Sequence, residues 1–375
     1  MINKIIPLCK PSIKKNELKL VNKVLKSGWL AHGDYNLKFE KSFAKFIGTK
    51  FAISLNSCTS ALELALWAND IKGDVLIPSF TWVSTANVVK LRNLNPIFLD
   101  IDINSRNTTL LEIKKKITKN TKAIIIVHFA GYPVEDLFKI SSYCKKNNIL
   151  LIEDSAECIG GKINNIMAGS IGIGCFSFYP TKNITTCEGG MITTNSKKLY
   201  NKFKSLSAHG ILTSAYDREK LGSWHRDAKY FGRNFRMPNP LAAIGYEQIK
   251  RIKSMNHNRN KIAKFYNIHL KKIKEITLQQ VPSKIYNSYQ MYTLLLDPSI
   301  KKFNFIKEMN NKGIMLSSHF DPPVHKQQAY KKYSSLILNN TDDVSNRIIS
   351  LPIYPDMTMA EAKIVVKHIK FFFSK

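Results

Sequence analysis

The sequence predicts an α/β protein: a doubly wound, mostly parallel sheet in a large domain, followed by a smaller α+β C-terminal domain. Three observations predict it. Short apolar runs bounded by turn residues alternate with helical patterns through the first half, the signature of right-handed βαβ units. Some of these runs, Ala123–Val127 above all, are apolar at every position, as expected of a strand covered on both faces. Finally, 375 residues exceed what one small core organises, and the pattern changes character after a long helical stretch at Arg251–Leu270. The expected division is 1–250 for the large domain and 251–375 for the small one, with the N-terminal segment placed against the small domain.

In chain order, Leu18, Val21 and Leu25 form one stripe of a helix over Ile13–Leu25, ended at Ser27-Gly28 because glycine favours a left-handed cap. Trp29–Gly33 is a loop. Phe39–Ile47 is a second amphipathic helix, closed by Gly48. Phe51–Leu55 is a strand that runs through Asn56-Ser57-Cys58-Thr59-Ser60 into a helix at Ala61–Trp67. Such a strand, hydroxylated turn and helix can cradle a phosphate, because a helix N-terminus offers free N–H groups and a positive dipole. Ser and Thr are also common N-caps, and taken alone these residues favour capping without a ligand. Asp74–Pro78 is a strand, and Ser79–Ala86 opens a helix. Trp82, just past that strand's end, sits where an aromatic stacks on a flat ligand at the carboxyl edge of a parallel sheet, or simply packs in the core.

Pro96–Leu99 is a strand ending at Asp100, Leu110–Ile117 a helix, and Ala123–Val127 a central strand ending at His128. Phe138–Lys146 is helical. Asn148–Ile152 is a buried strand ending in Glu153-Asp154. Beyond the connecting helix, Tyr286–Leu296 and Ile314–His319 are strand-like, Ile306–Asn311 is helical, and Met359–Phe373 is a closing helix.

Composition narrows the function classes. Hydrophobic residues make up 44% and charged residues 22%, ordinary values for a globular chain. No apolar run approaches the roughly 18–20 residues that span a bilayer, and Met1–Lys15 lacks the pattern of a secretory signal, so the expected location is cytoplasmic. Six cysteines lie scattered without CxxC or Cys/His spacing, which argues against a disulfide framework and against a metal site. The net charge of +30 comes from lysines spread along the whole chain rather than clustered with aromatics, so nucleic acid is not an expected partner. Attraction of an anionic small substrate is compatible with it.

The stretch Phe176–Met191, FSFYPTKNITTCEGGM, carries the chemistry. Lys182 lies between hydroxylated residues and Gly189-Gly190. A lysine partly withdrawn from water has its charged form disfavoured, so its neutral amine can attack an aldehyde and hold it covalently. Asp154 ends a buried strand and can keep a pyridine nitrogen protonated. Pyridoxal phosphate (PLP) needs four things: an amine, a carboxylate for the ring nitrogen, a flat stacking partner and phosphate donors. Lys182, Asp154, Trp82, and Thr59, Ser60 and Ser177 offer them.

The chain resembles the DegT/DnrJ/StrS family of PLP-dependent nucleotide-sugar aminotransferases, within the aspartate-aminotransferase-like (type I) fold. The motifs are NSCTSALELAL (56–66), IPSFTWVSTAN (77–87), PIFLDID (96–102), IIIVHFAGYP (124–133), IEDSAE (152–157), FSFYPTKNITTCEGGMI (176–192), FGRNFRMPNPLAAIGYEQI (231–249) and LPIYPDMT (351–358). The resemblance implies that Lys182 bonds the cofactor and moves protons, Asp154 pairs with the pyridine nitrogen and Trp82 stacks on the ring. It implies that Thr59, Ser60 and Ser177 bind the phosphate. It further implies a homodimer with composite sites, Asn234 reaching the neighbouring subunit's phosphate. Arg236, His325 and His209 become candidate substrate contacts, as do Trp224 and His225 in the loop Ser205–Gly232. Glu157 stands near the cofactor's phenolic oxygen where the family usually has Gln or His, and Cys187 stands where it usually has Gly.

The implied reaction is ping-pong transfer of an amino group from an amino acid, L-glutamate, to a keto group of a dTDP-, UDP- or GDP-linked deoxysugar, for a bacterial surface glycan such as a lipopolysaccharide O-antigen or for a secondary metabolite. The alternatives are a PLP-dependent sugar dehydratase and a non-catalytic regulatory relative. The dehydratases replace the lysine with histidine, and Lys182 is retained here.

Overall fold

A computed structural model describes residues 5–211, 224 and 227–374. Its centre is a seven-stranded sheet of β1 (Phe51–Leu55), β2 (Asp74–Pro78), β3 (Asn95–Leu99), β4 (Thr121–Val127), β5 (Leu150–Asp154), β8 (Ile173–Ser177) and β9 (Gly190–Thr194), in the order β1-β9-β8-β5-β4-β2-β3. β9 alone runs against the others, pairing antiparallel with both β1 and β8. The remaining neighbours pair in parallel. Ile124–Ile126 are fully buried, as the unbroken apolar run required.

Helices cover both faces. On one, α3 (Cys58–Ala68) packs on β1, β5, β8 and β9. On the other, Leu137, Ile140 and Cys144 of α6 (Leu137–Lys146) close over Ile124, Ile126 and Leu151. A separate aromatic cluster joins α2 (Asp34–Ile47) to the sheet, with Phe39, Phe43, Phe176 and Phe178 at centroid separations of 4.9–5.9 Å. Each of these fully buried rings contributes about 1.5–3 kcal/mol. Phe39 also lies so close to α8 (Asn239–Leu270) that a Cβ at Gly245 would fall 2.4 Å from its ring. That glycine sets the approach of the two helices.

A second sheet, β10 (Ile276–Leu278), β12 (Tyr292–Leu296) and β13 (Ile348–Leu351), is covered by α8, α9 (Lys302–Asn311) and α11 (Met359–Phe373). Ile6 bridges to Ile314 and is buried in this core. α8 runs unbroken from Asn239, twelve residues before the expected Arg251 (251 − 239), so it belongs to both halves.

Other expectations shift. α1 spans Lys15–Lys26, and its expected apolar stripe faces outward: Leu18 is 59% exposed and Leu25 51%. Glu17 and Val24 are buried instead, Glu17 because Arg251 ion-pairs with it. The run Tyr286–Leu296 splits into β11 (Ile285–Tyr286), which pairs with the hairpin strand β6 (Lys162–Ile163), and β12. Ile314–His319 forms only isolated bridges at Ile314 and Ser317. The structure adds α7 (Lys197–Leu206), α10 (Asn339–Arg347), β8, β9 and β13 to the expected elements.

Candidate active site

The carboxyl ends of β2, β5 and β8 and the N-terminus of α3 surround a cavity of about 440 Å³. Lys182, Asp154, Glu157, Trp82, Thr59 and Ser177 all line it. Lys182 sits in a tight turn after β8, its N–H donating to the Tyr179 carbonyl at 2.9 Å. Its Nζ donates to Glu157 Oε1 at 3.3 Å. Glu157 Oε2 accepts the Ala130 N–H at 3.1 Å. This carboxylate is therefore held between a cation and a backbone donor, at the family position of Gln or His.

Strand alternation separates the two acids at the end of β5. Asp154 faces the cavity, where Thr85 Oγ1 donates to Oδ2 at 2.8 Å and the Ala156 N–H to Oδ1 at 3.2 Å. Burial pushes the Asp154 carboxyl up from its ordinary value, and those two donors offset part of the effect. Its neighbour Glu153 points to the other face, fully buried. It accepts from His128 Nε2 at 3.0 Å and from the N–H groups of Gly169, Ile171 and Gly172 at 2.7–2.8 Å. His128 Nδ1 accepts the Val134 N–H, which places the ring's proton on Nε2. Burial works against the Glu153 carboxylate, yet the His128 bond and these backbone donors hold it below the usual range.

Glu153 thus organises the loop after β7 (Ile166–Met167) rather than the chemistry. Glu153→Gln is expected to cost about 2–4 kcal/mol in denaturant unfolding at neutral pH. The folded value is depressed, so this contribution is complete above the unfolded carboxylate value of about 4.3 and disappears as pH falls through the folded one. A parent-to-variant gap that stays constant down to strongly acidic pH would contradict the assignment.

At the opposite wall, Ser57 caps α3, its Oγ accepting the Ser60 N–H at 3.1 Å. The N–H groups of Cys58 and Thr59 are the first of the helix, beyond the reach of any helical carbonyl. Gly190 makes this juxtaposition possible: a Cβ there would lie 2.3 Å from the Ser57 carbonyl carbon. The glycine needed for close backbone approach thus meets the chain's own cradle. Cys187, at the family's usual glycine, adopts φ +68°.

Several candidates lie apart from the cavity. Ser60 does not line it; its hydroxyl donates to Asn56 Oδ1 at 2.7 Å. His325 is fully buried in a short 3-10 turn away from the cavity, with Nδ1 bonded to Ser79 Oγ at 2.7 Å, and the expectation that it meets substrate is corrected. Among the described residues the histidine that lines the cavity is His319, its Nδ1 fixed by Ser350 Oγ at 2.7 Å. Burial pushes His319 below its ordinary value, against the attraction of Glu157. Its signal was present in the sequence: it ends a strand-like apolar segment, as Asp154 does. Ser57, Thr85, Glu188 and Gln290 were also missed.

Asn234, Arg236 and His209 form a separate group outside the cavity of this chain. Arg236 Nε donates to Asn234 Oδ1 at 2.9 Å, and Arg236 Nη2 lies 3.0 Å from His209 Nε2. Trp224 is exposed. His225 lies outside the described residues.

The cavity fits PLP on its own terms. A buried carboxylate with an unfavourable charge suits a cationic ring nitrogen, and a primary amine stands over the same space. Trp82, 66% exposed, is no core residue and lines the cavity. The α3 N-terminus with Thr59 and Ser177 suits a phosphate. Among the described residues no cluster of metal-ligating side chains occurs, and no helix is long and apolar enough to cross a membrane.

Comparison with known proteins agrees. The spore coat polysaccharide biosynthesis protein SpsC of Bacillus subtilis is 34% identical, covering 98% of this chain and 97% of its own. Helicobacter pylori PseC, an aminotransferase involved in the biosynthesis of pseudoaminic acid, superposes with a TM-score of 0.92 at 28% identity, covering 99% of this chain and all of its own. Streptococcus pneumoniae Spr1654, solved in PLP and PMP forms, superposes with TM-scores of 0.90 and 0.91 at 25% identity, covering 99% and 98% of this chain and 99% of its own in each form. With the model of the DegT/DnrJ/EryC1/StrS aminotransferase family matching residues 11–370, the chain belongs to that family and is a PLP-dependent enzyme of the sugar-aminotransferase class.

Proposed function

We propose that this enzyme moves an amino group from L-glutamate to a keto group of a nucleotide-linked sugar, in two half-reactions on one cofactor. The observation that carries the reading is the shared cavity of Lys182 and Asp154, an amine and a buried carboxylate, the two groups that one pyridoxal ring would need. PLP, when bound, supplies the electron sink that lets a carbon–hydrogen bond next to nitrogen ionise. Lys182 Nζ holds the cofactor and, once freed, carries the proton between substrate carbon and cofactor. Asp154 keeps the ring nitrogen cationic. Thr85 and Ala156 orient that carboxylate through their hydrogen bonds. Glu157 stands 3.3 Å from Nζ and can hold Lys182 in place when it is released as a cation. Trp82 and the α3 N-terminus fix ring and phosphate, so that the proton's path is short.

A homodimer completes the site in this reading. Asn234, Arg236 and His209 sit outside the chain's own cavity, and Phe231 beside them is 98% exposed, an apolar residue that a second copy would cover. Arg236 then offers a cation to a diphosphate or to the donor's carboxylate. The names of SpsC and PseC support an amino sugar destined for a glycan.

The test is spectroscopic. L-Glutamate added to the PLP-loaded protein should abolish the visible band of the bound cofactor, and a nucleotide-linked keto-sugar should restore it while an aminated sugar appears. A band indifferent to glutamate but lost with another amino acid would replace the donor. A sugar product that forms without any donor would replace transamination by elimination.

A further inference from the structure

A second cavity, of about 320 Å³, opens where the loop after β3 meets the small-domain sheet. Asp102, Asn104, Arg106, Thr277, Gln280 and Leu295 line it. Arg106 is 2% exposed, and its guanidinium makes a single hydrogen bond, from Nη1 to Thr293 Oγ1 at 2.9 Å. Its Nε has no partner. No carboxylate comes within ion-pair distance among the described residues: the nearest acid in sequence, Asp102, spends Oδ1 on the Ser105 N–H at 2.7 Å. Burial pushes the Arg106 guanidinium down to about 10, which still leaves it charged at neutral pH.

A buried cation in this state is costly, and buried charges are normally paired. The other fully buried arginine among the described residues, Arg259, has three oxygen partners, its Nη1 donating to the carbonyls of Tyr289, Gln290 and Ile353, although its Nε and Nη2 are also without partners. Arg106 has no such cluster of oxygens. The chain nevertheless holds it in place in the left-handed region, at φ +59°. The walls are already formed: Asn104 Nδ2 donates to the Gln280 carbonyl at 3.2 Å and the Gln280 N–H returns to Asn104 Oδ1 at 2.9 Å. The Asp102 carboxylate attracts Arg106 from the wall of the same cavity but forms no ion pair with it, so the guanidinium fork has no two-oxygen acceptor in contact.

We infer that this cavity is a binding site for a small oxyanion, held by Arg106 at the junction of the two domains. The site is distinct from the catalytic cavity and shares no lining residue with it. Arg106 belongs to the large domain and Thr293 to β12 of the small one, so a bound oxyanion pairs the charge that lies across their contact.

The test uses the PLP-loaded enzyme, thermal unfolding, and inorganic phosphate as the probe, with sodium chloride holding ionic strength constant. Phosphate at about ten times its dissociation constant should raise the parent Tm by about 2 °C. Arg106→Met should lose this rise and, in chloride alone, be at least as stable as the parent, because an unpaired buried charge has been removed. Thr293→Val removes only the neutral hydrogen bond and should keep the rise. The proposal is overturned if the parent Tm does not respond, or if parent and Arg106→Met rise equally, which would put the phosphate elsewhere. It is also overturned if Arg106→Met lowers Tm by the same amount at every phosphate concentration, which would make the residue a structural bond to Thr293.

Discussion

Lys182→Ala should lower kcat by about 10⁴-fold or more, because one substitution removes both the covalent anchor of the cofactor and the group that moves the proton. The fold should survive. Lys182 is only partly buried, and its turn is made by its own backbone N–H to Tyr179, which alanine keeps. Glu157 retains its bond from the Ala130 N–H after losing the lysine. The variant should therefore still take up PLP through the α3 N-terminus, Ser177 and Asp154, with the absorbance of free rather than lysine-bound cofactor. Absorbance spectra and single-turnover amination with glutamate would be measured on the same preparation. Turnover within tenfold of the parent would remove Lys182 from the chemistry altogether.

Asp154→Asn comes second, with an expected loss in kcat of about 10²–10⁴-fold, or roughly 3–5 kcal/mol of transition-state stabilisation. The distinguishing feature is stability. Burial already disfavours the Asp154 carboxylate in the cofactor-free protein, and an amide of the same shape avoids that cost while still accepting the Ala156 N–H. Cofactor-free Asp154→Asn should therefore unfold at or above the parent temperature while its activity collapses, as expected where a charge is kept for function at the expense of stability. The matched experiment is kcat beside Tm for parent and variant. A variant that loses Tm and activity together would make Asp154 a structural acid like Glu153.

That contrast marks where sequence reading worked and where it stopped. Glu153 and Asp154 are adjacent, and both end a buried strand. Alternation put them on opposite faces, and the family motif IEDSAE singled out Asp154. Trp82 was open between core packing and stacking, and its exposure at the cavity mouth decides against the core. The two histidines show the limit. The family resemblance makes His325 a candidate, but its Nδ1 is bonded to Ser79 and its ring is buried away from the cavity. His319 reaches the cavity because Ser350 on β13, a strand that no local pattern announced, turns its ring. In α1 the apolar stripe misled for a similar reason: a long-range ion pair from Arg251 drew Glu17 inward and left Leu18 outside.

What the sequence determined by itself was the part governed by local rules. Apolar runs made the parallel strands, glycines closed helices at Gly28 and Gly48, and a hydroxylated turn capped α3. The family's motifs carried the lysine, the carboxylate and the cofactor. Tertiary structure alone decided which side chains share the cavity, that α8 packs both in the aromatic cluster and under the second sheet, and that Arg106 is buried without an ion pair among the described residues. Those outcomes depend on contacts between residues far apart in the chain, whose energies come from burial and pairing, and neither periodicity nor spacing encodes them.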